Sequence, residues 1–265
     1  MHKKKIIVII LTVVIFLSAC VLGISTVYRV KDVAVNVTTV SEAAKNEAEQ
    51  LKNRLKEEYE KQSTFFVDTE TAEEVLKEFP YFRLTEIEKV FPNRLIFHLT
   101  EDEEVYAVAT EGGYYILNGE GTILSVRQDY NNRGELSANA KNVLITGVTP
   151  AGEKGTVVSG DESFSYLLPF CTHVSTLLNG IRRNVISIEV IKGGSSSSTV
   201  TLSLMMAEGV KIYIKTPSEN TVEKANKAME AYFLLSDENR TRGMIAVYEN
   251  DGNVATRYSV TDNFE

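Results

Sequence analysis

The sequence predicts an α+β protein: a single N-terminal transmembrane helix, a small strand–helix–helix–strand–strand unit, then a mixed β-rich domain with two helices. Three observations carry this expectation. Residues 6–24 form a run of 19 positions without a charge. Two helix-periodic stretches are followed by two strands parted at Phe91-Pro92-Asn93. From Val105 onward, short β-rich runs alternate with Gly and Asn turns, and only two stretches keep helical spacing.

The apolar run is close to the ~20 residues that cross a bilayer as a helix. Lys3, Lys4 and Lys5 precede it, so the positive-inside rule places residues 1–5 in the cytoplasm and the body of the chain outside. A second reading stays open, because Leu17-Ser18-Ala19-Cys20 has the small-residue pattern of a lipoprotein processing site. It would leave a lipidated surface binding protein anchored through Cys20. The continuation Val21-Leu22-Gly23-Ile24 is apolar and favours the uncleaved span.

Val30–Val37 alternates as a strand. Ser41 is placed to cap a helix reaching about Glu60, with Ala44, Ala48, Leu51, Leu55 and Tyr59 on one stripe. Thr71 and Glu74 have capping-box spacing for a second helix, whose inner face is Ala72, Val75, Leu76 and Phe79. Pro80 ends it. Phe82–Val90 is a strand, and Leu95, Phe97 and Leu99 alternate in the next. Two helices over a three-stranded sheet make one compact unit, expected at residues 28–102.

Residues 103–260 are expected to form the second domain, with a tail at 261–265. Asn118-Gly119 can supply both positive-φ positions of a tight hairpin. Residues 128–142 read as a polar loop. Asp161–Asn179 is a helix with Phe164, Leu167, Leu168, Cys171, Val174 and Leu178 inward, and Pro169 kinks it or marks its start. Two alternating strands flank the Gly193–Ser198 loop. Asn220 and Glu223 are placed to cap a helix with Val222, Ala225, Met229, Tyr232 and Phe233 on its stripe. Asn250-Asp251-Gly252 turns the last hairpin.

The chain is 43% hydrophobic and 24% charged, ordinary for a folded protein. After residue 24 it holds 25 basic and 36 acidic residues, a balance that excludes nucleic acid as the expected partner. Chemistry is thinly represented. The three histidines, His2, His98 and His173, have no metal-ligand spacing, and no nucleophile elbow or phosphate-binding loop is present. The acidic run Glu101–Glu104 alternates between strand faces, so it reads as a solvated junction. No enzyme, cofactor or small-molecule substrate is expected.

Several segments carry a resemblance. Leu76–Pro80 with Phe82, and Val90-Phe91-Pro92-Asn93-Arg94-Leu95-Ile96, resemble the helix end and turn of a POTRA domain in the bacterial cell-division family FtsQ/DivIB. Ile116–Leu124, Glu208–Ile214 with the Lys224–Leu235 helix, and Ile245–Tyr258 are similar to segments of that family's β domain. The resemblance implies a scaffold at the division septum that binds the single-span proteins FtsL and FtsB/DivIC. Septal peptidoglycan synthases are further partners it implies, and control of septal wall synthesis is the outcome. It also implies strand addition at the last hairpin, through Ala246, Tyr248, Val254, Arg257 and Tyr258, with Tyr232 in support.

Overall fold

The computed structural model describes residues 11–16, 18, 26–38, 41–132, 141–193 and 199–261. Most of the predicted span, Cys20, part of the 128–142 loop and residues 262–265 lie outside the described residues. Among the described residues, no helix is long and apolar enough to cross a membrane. The chain divides into two compact units between Glu101 and Asp102.

In the first unit, β1 (Asp32–Asn36) leads to α1 (Glu42–Tyr59), a 3-10 turn (Thr64–Phe66) and α2 (Glu70–Lys77). β2 (Phe82–Val90) and β3 (Arg94–Glu101) complete it. The sheet order is β1–β3–β2, with β1 parallel and β2 antiparallel to β3. The parallel pair requires a long crossover, which α1 and α2 supply. The Ser41 hydroxyl accepts from the Ala44 N–H and satisfies one orphan donor of α1. Leu51, Leu55 and Tyr59 are fully buried, and the Tyr59 ring meets Phe97 of β3 at 5.3 Å.

The second helix departs from its predicted cap. Thr71 lies inside α2, and the Asp68 carboxylate accepts its N–H at 2.9 Å. Glu74 faces solvent and pairs with Lys77. A free carboxylate one turn earlier outcompetes the hydroxyl, since charge-assisted bonds are the stronger. The predicted inner face of Ala72, Val75, Leu76 and Phe79 is buried.

The second unit holds β4 (Tyr106–Thr110), β5 (Gly113–Leu117), β6 (Ile123–Arg127), β7 (Val143–Thr146), α3 (Phe164–Leu177), β8 (Val185–Lys192) and β9 (Val200–Met206). β10 (Lys211–Lys215), α4 (Thr221–Leu234), α5 (Asp237–Arg240), β11 (Met244–Asn250) and β12 (Asn253–Ser259) follow. They form one nine-stranded sheet, ordered β12–β11–β10–β9–β8–β7–β4–β5–β6. Parallel pairing of β7 with β8 and of β10 with β11 demands two crossovers, α3 and α4. Their inner faces share one core with Ile145, Ile188, Leu202, Ile212 and Val247.

Four expectations change here. α3 extends to both sides of Pro169, so the proline does not mark its start, and the inner face includes Phe170, while Leu168 is only partly buried. Asn118 has no positive φ, and the positive position of that turn is Gly121. The buried Asn118 side chain instead accepts from the Glu120 and Thr122 N–H groups, so a side chain closes the turn. Asn220 makes no side-chain cap on α4. Val222 and Phe233 are exposed, and Lys224 and Ala228 occupy the buried stripe beside Ala225, Met229 and Tyr232.

The acidic run is corrected as well. Glu104 is 1% exposed and bonds Arg127 at 2.7 Å and the Asn142 amide at 3.1 Å. Its carbonyl accepts from Asn132 and Arg182. Glu101 accepts from the Ser41 N–H, and Asp102 from the Asn118 amide. A buried carboxylate must be paired, and this one is.

Candidate functional site

Neither His98 nor His173 gathers a metal set. His98 sits between Asn36 and Glu88, and His173 meets Asn226. Among the described residues no cluster of three His, Cys, Asp or Glu could hold a metal ion. Cys171 is fully buried beside Tyr106, and burial pushes its thiol up to about 12, so it stays protonated and inert at neutral pH.

The last hairpin has a different character. Asp251 and Gly252 both take positive φ, the signature of a two-residue turn between Asn250 and Asn253. Among the described residues β12 pairs with β11 alone and ends the sheet. From the closing Asn250–Asn253 pair, hydrogen-bonded pairs recur at every second residue, so Ala255 and Arg257 bond inward to β11. The backbone groups of Val254, Thr256 and Tyr258 turn to the open side.

Side chains divide by face. Ala246 is buried between Tyr213 of β10 and Arg257 of β12, so it contributes packing and offers no side-chain contact to a partner. Val254 belongs to the core under α4. Tyr232 is buried too, its ring 5.2 Å from the Arg240 guanidinium. Tyr248 is half-buried and Arg257 exposed. The Tyr258 hydroxyl lies 3.2 Å from the carbonyl oxygens of both Asn239 and Arg242, which ties the end of β12 to α5 and the loop after it.

The residue that holds this hairpin in place escaped the sequence reading. Lys224 of α4 is fully buried, and its ammonium donates to the Thr216 carbonyl at 2.7 Å and lies 3.0 Å from Glu249 of β11. The Asn220 amide donates to the same Glu249 oxygen. Lys224, and after it Asn220, hold the Glu249 carboxyl below the usual carboxylate range. One ammonium thus joins the exit of β10, the start of α4 and the hairpin. Its only sequence signal is a lysine one position before an apolar stripe residue, which is common on solvated helices.

Residues 30–102 match the family model of the POTRA domain of FtsQ type. No curated protein matches the chain. The first unit is therefore a POTRA domain, a small β-α-α-β-β module. Its FtsQ type supports an FtsQ/DivIB-family protein, and this suggests a non-enzymatic scaffold role in cell division.

Proposed function

We propose that this chain is an extracytoplasmic scaffold of the bacterial division machinery, held in the cell membrane by residues 6–24 with its N-terminus in the cytoplasm. It receives single-span partners of FtsL and FtsB/DivIC type and so regulates septal peptidoglycan synthesis. The observation that carries the docking part is β12, an edge strand whose outward N–H and C=O groups are left for another strand. Strand addition takes its affinity from the main chain, with alternate side chains choosing the partner. Tyr248 and Arg257 are the side chains placed to choose; Tyr258, Val254, Ala246 and Tyr232 hold the strand.

The test is septal localisation of the tagged full chain, with co-purification of small single-span proteins. Septal enrichment with such partners is expected. Uniform membrane distribution with none recovered would sink the reading. Within it, R257E and Y248E should lose the partner while the protein stays folded.

A further inference from the structure

Between residues 28 and 91 the exposed Phe65 and Phe91 rings gather about a half-buried Tyr28, and the exposed Phe66 follows Phe65 on the same 3-10 turn. Phe65 and Phe66 stand on the 3-10 turn, Phe91 on the β2–β3 turn, and Tyr28 on the segment before β1. The Phe65 ring lies 4.6 Å from Tyr28 and 5.1 Å from Phe91. Phe66 is 81% exposed, Phe65 and Phe91 are about half exposed, and Val27 adjoins Tyr28 in the chain and is exposed too. Fully burying such a ring is worth about 1.5–3 kcal/mol, so Phe66 and the half-exposed Phe65 and Phe91 favour an occupant.

The patch is built, not accidental. The Thr64 N–H donates to the Tyr28 carbonyl at 2.8 Å, and its buried hydroxyl lies 2.9 Å from the carbonyl oxygens of both Tyr28 and Pro92. Val30 donates to Gln62, and Lys31 to Asn93. Three chain segments are stitched together behind the rings. The rim is basic: Lys89 donates to the carbonyls of Phe65 and Val67, Arg29 to that of Glu60, and Lys31 is exposed.

The chain itself names the occupant. Only residues 25–27 separate Tyr28 from Ile24, the last position of the predicted span. Even fully extended, that link spans about 14 Å, so the rings cannot leave the surface of a bilayer that the span enters. Aromatic rings rimmed by basic side chains suit the boundary between lipid headgroups and acyl chains. We propose that Phe65, Phe66 and Phe91 enter this boundary beside the chain's point of exit, so that the first unit is held against the membrane by its own surface as well as by its tether. The inference rests on residues 6–24 spanning the membrane.

The chain contains no tryptophan, so F66W supplies a single reporter at an exposed position. The full-length variant is reconstituted into phosphatidylcholine–phosphatidylglycerol vesicles, with and without lipids brominated near the glycerol end of the acyl chains. An indole seated about 5–10 Å into the boundary should emit at shorter wavelength and lose roughly half its emission to the brominated lipid. Alkaline carbonate extraction of the same vesicles separates the two claims. Release of the protein overturns the spanning reading and this inference together. Retention with water-like, unquenched emission overturns the inference alone. Retention with blue-shifted emission untouched by bromine places Phe66 against protein, and overturns it as well.

Discussion

The two ends of the nine-stranded sheet are finished differently. At the β6 end, residues 149–161 fold back as a cover: Ile123 donates to Thr156, Gly155 to Ile123 and Val158 to Gly121, and Thr122 pairs with Val157. The Asp161 carboxylate locks that cover, accepting from the Thr149 and Ser163 N–H groups and meeting Lys192 at 2.7 Å. At the β12 end, no described segment pairs with the outer edge. Instead, Lys224, Glu249 and Tyr258 fix the strand from behind. An unpaired edge can add a strand from another chain, and this contrast, one end partly covered and the other open, is the ground on which docking at β12 is proposed.

The largest effect expected on this contrast comes from K224A. It removes the ammonium shared by Thr216 and Glu249 and opens a void under the hairpin, costing about 3 kcal/mol in thermal unfolding and abolishing partner binding. Next is G243A. Gly243 has φ +75, and an added Cβ would meet the Ser259 carbonyl oxygen at 2.2 Å, so strain of about 2 kcal/mol should displace the end of β12. Hydrogen exchange across Arg257–Ser259 would read it.

D161N tests the closed end. Burial pushes the Asp161 carboxyl up, but Lys192 and the Ser163 and Thr149 N–H groups outweigh it and hold it well below the usual carboxylate range. Its stabilisation is therefore complete above the unfolded value near ~3.9 and is lost as pH falls through the lower folded value. The variant should cost about 1–2 kcal/mol at pH 7, a difference that shrinks in acid, and leave partner binding intact. The smallest stability change belongs to R257E, within about 0.5 kcal/mol of the parent in denaturant titration, with binding lost.

How far the sequence reveals this contrast depends on range. Periods of 3.6 and 2 locate nearly every helix and strand, and Ser41 and Asp251-Gly252 mark two of their ends, because these signals act within a few residues. Pairings over distance left no such trace. Glu104 looks like one more acid in an acidic run until Arg127 and Asn142 arrive from later strands. Lys224 looks solvated until Glu249 reaches it. Val254 looks like an edge-strand contact, yet α4 covers it, so its replacement by a charge would test stability and not recognition. The open edge itself was legible, because a final hairpin commonly ends a sheet.

The most direct test of the docking proposal is amide hydrogen exchange on the full chain, alone and mixed with the proposed FtsB/DivIC-type partner. Strand addition predicts slowed exchange at Val254, Thr256 and Tyr258, with Ala255 and Arg257, already bonded to β11, little changed. Unaltered exchange along β12, with protection appearing elsewhere, would contradict the account.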